Sequence, residues 1–165
     1  MILDLKDFLK DDSVYKQYIK GIRPESLQTE DFVKLTDDVM CTVDVYKTDE
    51  NLYGEVKLVY KYMETCARCL DEFEHQVETE FKISIGEENG EDELNIELVD
   101  DKIDLTDAIV QSIYISKPIK VLCKDDCKGI CQKCGINRNH GDCNCDEEIV
   151  DPRLDKLRKL LDKEV

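Results

Sequence analysis

The sequence is short of basic residues and of long apolar stretches. It has 23 lysine and arginine residues against 39 aspartate and glutamate residues, a formal net charge of −16. A field of this sign repels polyanions, which excludes strong nucleic-acid binding over the whole surface. No apolar run approaches the roughly 18 residues of a transmembrane helix, and the opening residues MILDLKDFLKDD are too acidic for a signal peptide. We therefore expect a cytoplasmic protein with no membrane partner, in which thiols stay reduced.

Histidine is also scarce, since only His75 and His140 are present. A catalytic zinc ion usually keeps an open coordination position beside histidine or carboxylate ligands. Two isolated histidines do not offer that pattern. We therefore predict no catalytic residues, no small-molecule substrate and no enzymatic activity.

Cysteine, by contrast, is abundant and clustered. Eight of the 9 cysteines form four close pairs with the spacings C-x2-C, C-x3-C, C-x2-C and C-x-C. In a reducing compartment such pairs favour metal binding over disulfides, and four thiolates complete one tetrahedral zinc site. Two structural zinc ions per chain are therefore predicted. Disulfide or redox thiols, or another metal, are the alternatives.

The spacing also indicates how the eight cysteines divide. Cys131 and Cys134 form a knuckle whose following Gly135 can take the positive φ angle of a turn around a metal, and a C-x-C pair returns eight residues later. The upstream C-x2-C pair would then join the C-x3-C pair across a long stretch of sequence. The predicted ligands are Cys66, Cys69, Cys123 and Cys127 for site 1 and Cys131, Cys134, Cys143 and Cys145 for site 2. A rival pairing places Cys127 with Cys131, Cys134 and one of the last two cysteines, and of the four that remain it leaves Cys123 and one other free.

Alternating apolar residues predict strands over 39–46, 55–64, 76–85 and 94–98. Four such strands with one apolar face favour an α+β fold, built on an antiparallel sheet or a partly closed barrel that is packed by a helix. The ninth cysteine, Cys41, falls in line with three valines of the first strand. We predict that it is a buried core residue and not a metal ligand.

Helical spacing predicts a short helix over about 13–20 and a longer one that starts at Asp104 and ends before Pro118. Residues 86–93, rich in acids and glycine, predict a solvated loop. A last amphipathic helix begins at Asp151. The predicted organisation is an α+β sheet domain (1–120), a cysteine-rich, zinc-ribbon-like module (121–148) and a C-terminal helix (149–165).

Positive charge is concentrated in one segment of this acidic chain. Residues 117–140 contain six basic side chains and only two acidic ones, Asp125 and Asp126. Any contact with RNA or another acidic partner should therefore lie in this segment. The candidate contact residues are Lys117, Lys120, Lys124, Lys128, Lys133 and Arg138.

Several motifs of the chain occur together in one known family. They are CARCL with Phe73, DLTDAI followed by KPIKVLC, CKGIC, the Cys134-Gly135 pair and DCNC. With these motifs the chain resembles, from about residue 35 to 160, the YceD family of large ribosomal RNA subunit accumulation proteins. The similarity is to the cysteine-rich branch found in many Gram-positive bacteria.

The resemblance implies a cytosolic, non-enzymatic factor needed for normal accumulation of 23S rRNA. The acidic body and the basic segment suggest the large-subunit rRNA precursor, a basic ribosomal protein, or both, as partners. A zinc-handling or redox-sensing thiol protein is the alternative function.

Overall fold

Residues 1–29, 32–48, 51–86 and 94–145 are described by a computed structural model. They form two units, Met1–Ala67 with Asp71–Cys123, and Arg68–Leu70 with the described residues from Lys124 onward. The elements, all in the first unit, are β1 (Ile2–Asp4), α1 (Lys6–Lys10), β2 (Tyr15–Ile22), β3 (Val39–Lys47), β4 (Leu52–Thr65), β5 (Glu72–Ile85), β6 (Leu94–Ile96), β7 (Lys102–Asp104) and α2 (Thr106–Ser116). No helix in this described part is long and apolar enough to cross a membrane.

A mixed five-stranded sheet in the order β2-β3-β4-β5-β6 forms the centre of the first unit. The strands β2 to β5 pair antiparallel. The alternating sequences of β3, β4 and β5 predicted this arrangement. One face of β3 and β4 is fully buried, because every second residue there is apolar. Its members are Val39, Cys41, Val43, Val45, Val56, Leu58, Tyr60 and Tyr62. The predicted α+β class and the first three predicted strands are confirmed.

Two elements differ from the sequence prediction. The helix expected over about 13–20 is wrong, because β2 occupies this stretch and pairs with β3 along its whole length. Its tyrosines and isoleucines favour a pleated surface, and the neighbouring strand supplies the backbone partners that a helix would have found internally. The wholly antiparallel sheet is also wrong, because β6 pairs parallel with β5.

The helix α2 packs on the sheet through an apolar stripe. Ala108, Ile109 and Ile113 are buried along it. The hydroxyl of Tyr60 in β4 donates to the Ile113 carbonyl at 3.2 Å and lies 2.9 Å from the Ser116 hydroxyl, which ties the end of the helix to the sheet.

The ends of α2 follow from local chemistry. Asp104 accepts hydrogen bonds from the hydroxyl and the backbone N–H of Thr106, and these lower the pKa of its carboxyl to about 2. The helix ends at Ser116, and Lys117 is extended with ψ 118° because Pro118 follows it. A second, two-stranded sheet of β1 and β7 was not predicted. The predicted C-terminal helix, and residues 87–93 of the predicted loop, lie outside the described residues.

Cys41 is a core residue with 0% of its surface exposed, and burial raises the pKa of its thiol to about 11. We expect Cys41→Ser to lower the free energy of unfolding by about 1–3 kcal/mol, because a buried hydroxyl has no partner among the valines of this face. Cys41→Val is slightly larger but leaves no unsatisfied polar group, so it should cost less than Cys41→Ser. Urea unfolding measures both.

The matched control for this prediction is the neighbouring Met40→Ser. Met40 is 46% exposed on the opposite face of β3, so its effect should stay within about 0.5 kcal/mol. A Cys41→Ser protein as stable as the wild type would contradict the core assignment.

Candidate metal centres

The sulfurs of site 1 are brought together by backbone hydrogen bonds at the end of β4. The Cys66 N–H donates to the Asp71 carbonyl at 2.9 Å, which closes the turn that carries Cys69. The backbone N–H of Cys123 donates to the Cys66 Sγ at 3.4 Å. The sulfurs of Cys66, Cys69, Cys123 and Cys127 all lie within 4.8 Å of one another, and all but Cys123 are buried.

Site 2 is formed within a single short stretch of chain. The Gly135 N–H donates to the Cys131 carbonyl at 2.8 Å, and the Cys131 N–H donates to the Ile136 carbonyl at 2.8 Å, so the knuckle closes on itself. The sulfurs of Cys131, Cys134, Cys143 and Cys145 also lie within 4.8 Å of one another. This site is more open than site 1, since Cys134 is exposed and the last two cysteines are half-buried.

The eight cysteines thus fall into the two sets of four that the spacing predicted. The rival pairing required Cys127 to join Cys131 and Cys134, but its sulfur lies in the site 1 set. All nine cysteines belong to described residues, and none forms a disulfide.

Both C-x2-C turns place the residue after the second cysteine in the left-handed region. Gly135 has φ 74°, as its sequence position suggested, and Leu70 has φ 64°. A non-glycine residue there is strained by about 1 kcal/mol or more, and no glycine marked the position in the sequence. Gly129 is required in a different way. It has φ 70°, and a Cβ would lie 3.1 Å from the Arg68 carbonyl oxygen.

The thiols of site 2 are unequal before any metal binds. Backbone N–H groups of Cys134 and Lys133 donate to the Cys131 sulfur and lower the pKa of its thiol to about 6. A hydrogen bond with Cys134 and burial raise the pKa of Cys145 to about 12. Of these two thiols, Cys131 therefore ionises before Cys145.

The two donor sets fit zinc. In a tetrahedron with Zn–S bonds of about 2.3 Å the sulfurs stand about 3.8 Å apart, so sulfurs already within 4.8 Å need only a small contraction. Each set offers four sulfurs and no water position. A zinc ion bound there would act as a structural cross-link of the loops that hold its ligands.

The predicted basic residues are not all available for contact. Lys117 belongs to the first unit. Its Nζ lies 2.9 Å from the Glu64 carboxylate and 5.1 Å from the Phe32 ring centre. This ion pair lowers the pKa of Glu64. Lys120, also in the first unit, is exposed. In the second unit Lys124, Lys128 and Lys133 are exposed and Arg138 is half-buried.

One residue of the site escaped sequence reasoning. Asn139 donates from its Nδ2 to the Cys127 Sγ at 3.4 Å. It lies in the loop between Cys134 and Cys143, and only its membership of that Gly- and Asn-rich loop was visible in the sequence.

The chain is similar in sequence to proteins of mycobacteria and of a plant. The chain is 32% identical over 105 residues to uncharacterized proteins of Mycobacterium bovis and Mycobacterium tuberculosis, a stretch that covers 60% of this chain and 50% of each relative. It is 33% identical over 70 residues to a chloroplastic protein of Arabidopsis thaliana named large ribosomal RNA subunit accumulation protein YCED homolog 1, covering 42% of this chain and 22% of that protein. The chain spans about half the length of the mycobacterial relatives. It spans a smaller part, 22%, of the Arabidopsis protein. No solved structure matches significantly.

The family described as large ribosomal RNA subunit accumulation protein YceD matches residues 54–161, which is more than half of the chain. The match includes most of β4, all of β5 and α2, and all eight clustered cysteines. It begins later than the resemblance read from the motifs, which extended to about residue 35. The chain belongs to the YceD family.

Proposed function

We propose that this protein supports the accumulation of large-subunit rRNA, as a non-enzymatic, cytoplasmic ribosome-biogenesis factor that binds the rRNA precursor, a basic ribosomal protein, or both. The observation that carries the proposal is the family match over residues 54–161. The name of the Arabidopsis relative supports the same process.

The two cysteine sets support a binding role in preference to catalysis. Each set would hold zinc through four sulfurs, which leaves no open position for a substrate or for an activated water. The metal would instead fix the loops of the second unit, an architecture suited to presenting side chains to a partner. The basic side chains that these loops carry include Lys124, Lys128, Lys133 and Arg138.

Zinc binding would also change the charge around each site. A zinc ion with four thiolates carries a net charge of about −2, so each loaded site makes its surroundings more acidic. The basic side chains Lys124, Lys128, Lys133 and Arg138 offset part of that charge locally, while the remainder of the chain keeps a strong negative field. A basic ribosomal protein suits the acidic surface, and a phosphate backbone suits only the basic loops.

A second function has its own supporting observation. Site 2 is partly open, with Cys134 exposed, which favours exchange of its metal or oxidation of its thiols. A zinc-handling or redox-sensing protein would use this site and would not need the basic side chains.

Depletion of the protein from its own cells tests the proposal. We expect the ratio of 23S to 16S rRNA and the 50S peak of a sucrose gradient to fall, and a wild-type copy to restore both. A depleted strain with a normal ratio but altered zinc tolerance or thiol redox state would contradict the biogenesis function and favour the second one. Crosslinking the tagged protein in growing cells would identify the bound RNA and protein.

A further inference from the structure

The loop that closes site 2 also reaches a ligand of site 1. Residues 135–142 connect Cys134 to Cys143, so both ends of this loop are attached to site 2 ligands. Within the loop, Asn139 lies with its Nδ2 3.4 Å from the sulfur of Cys127, a site 1 ligand. One short segment thus contacts one metal set and is closed by the other.

The orientation of the Asn139 amide is fixed by its other partners. Its Oδ1 accepts the Lys128 N–H at 3.0 Å, so that face of the amide must carry oxygen and the nitrogen must face the sulfur. The Asn139 backbone N–H and Nδ2 both donate to the Asn137 Oδ1, at 2.9 and 3.0 Å. Asn139 is therefore aimed at the sulfur by a local network of hydrogen bonds.

The same loop is attached to the site 2 knuckle and to the site 1 turn by its neighbours. The Ile136 carbonyl accepts the Cys131 N–H at 2.8 Å, and the Arg138 N–H donates to the Gly129 carbonyl at 2.9 Å. The Asn137 Nδ2 donates to the Cys69 carbonyl at 3.5 Å. These bonds require a closed loop, and the closure depends on Cys134 and Cys143 being held together.

A hydrogen bond to a ligand sulfur strengthens the metal site because it disperses the thiolate charge. Removing a group that holds or polarises a metal ligand typically lowers the metal affinity by about 10- to 100-fold. Cys127 is buried, so its thiolate has little water to replace the amide donor.

We propose that Asn139 is a positioning residue that couples the two metal sites. Metal at site 2 closes the 135–142 loop, the closed loop aims the Asn139 amide at Cys127, and site 1 then binds its metal more tightly. By thermodynamic reciprocity, metal at site 1 strengthens site 2 by the same factor. This inference rests on metal binding and not on the role in rRNA accumulation, because its readout is metal affinity in the purified protein.

Cadmium-113 serves as the probe, because each four-sulfur site gives its own NMR signal and can be followed separately against a competing chelator. The signal missing from the double variant C131S/C134S assigns site 2. In the full-length protein we expect Asn139→Asp, which keeps the shape of the side chain and removes its donor, to weaken site 1 by about 10- to 100-fold. Measured with site 1 occupied, site 2 should lose no more than this one shared coupling factor, since its own ligands are intact.

A double-mutant cycle separates coupling from simple loss of a contact. C131S/C134S alone should weaken site 1 by a factor similar to that of Asn139→Asp. Adding Asn139→Asp to C131S/C134S should then change site 1 by less than about threefold, because the loop is already open. Gln132→Ala, an exposed amide in the site 2 knuckle, is the matched control and should leave both sites as they are.

Two results would overturn the coupling. One is a site 1 affinity that is the same in C131S/C134S as in the wild type. The other is a full effect of Asn139→Asp in both backgrounds, which would show that the contact acts without site 2. If Asn139→Asp lacks the far-UV circular dichroism of the wild type, Asn139→Ala takes its place in the same cycle.

Discussion

The wild-type protein, purified under reducing conditions without chelator, should contain two zinc ions per chain. Cys131→Ser with Cys134→Ser should leave one zinc ion and disorder the 135–142 loop, with the strands of the first unit still folded. Cys66→Ser with Cys69→Ser should also leave one, with a larger loss of stability, because Cys66 and Cys69 are buried at 0% and 3% exposure whereas Cys134 is exposed. Structural zinc contributes about 10–16 kcal/mol of apparent binding free energy, so either loss should be large.

Elemental analysis counts the zinc, and thermal unfolding with far-UV circular dichroism follows the two variants. Cys41→Ser is the matched cysteine control and should keep both zinc ions, because its sulfur lies in the core away from either set. One zinc ion in the wild type would disprove the two-site pairing, and no zinc at all would disprove metal binding.

Charge reversal of exposed lysines at and next to the cysteine-rich loops should impair large-subunit rRNA accumulation and leave zinc content intact. The variant is Lys120→Glu, Lys124→Glu, Lys128→Glu and Lys133→Glu, all exposed. Four phosphate contacts on single-stranded RNA would give a slope of roughly −3 in log K against log salt. Reversal should abolish that slope, and the 23S to 16S ratio should fall toward that of the depleted strain.

The control for this variant changes net charge by the same amount elsewhere. Lys10→Glu, Lys20→Glu, Lys57→Glu and Lys82→Glu alter exposed lysines of the first unit. A normal ratio in the loop variant, or an equal defect in the control, would show that this segment is not the contact. Arg138 is left unchanged because it is half-buried in the second unit.

Two different signals in the sequence predicted the sheet and the two cysteine sets. Period-two alternation identified β3, β4 and β5, since a buried face on a regular strand leaves a direct mark on the sequence. The cysteine sets followed from counting complete ligand groups, a chemical constraint that needs no fold.

The wrong predictions concern features that depend on contacts with residues far away in the sequence. Tyr15, Tyr18 and Ile19 have the spacing of a helical stripe, and only pairing with β3 selects the strand. The direction of β6 depends on where the chain returns to β5, which three residues of sequence do not reveal. Lys117 looked like a surface cation because nothing in its neighbourhood announces Glu64, more than fifty residues earlier.

Asn139 escaped for a related reason. Its proposed role depends on a single side-chain contact with Cys127. In the sequence, an asparagine in a glycine-rich loop is usually a turn residue. Contacts of this kind appear only once the backbone is placed.

The separation of the ligands along the chain has a consequence for biosynthesis. Site 2 draws its cysteines from residues 131–145, whereas site 1 needs Cys66 and Cys127 from positions about sixty residues apart. Closing the longer loop costs about 1 kcal/mol more entropy by the logarithmic rule. On a ribosome, Cys66 and Cys69 leave the exit tunnel long before Cys123 and Cys127. The first cysteine pair of site 1 must therefore remain incomplete until the second pair is exposed, and site 2 is completed last. A cell short of zinc would then accumulate chains whose amino-terminal sheet is made but whose carboxy-terminal loops are still open.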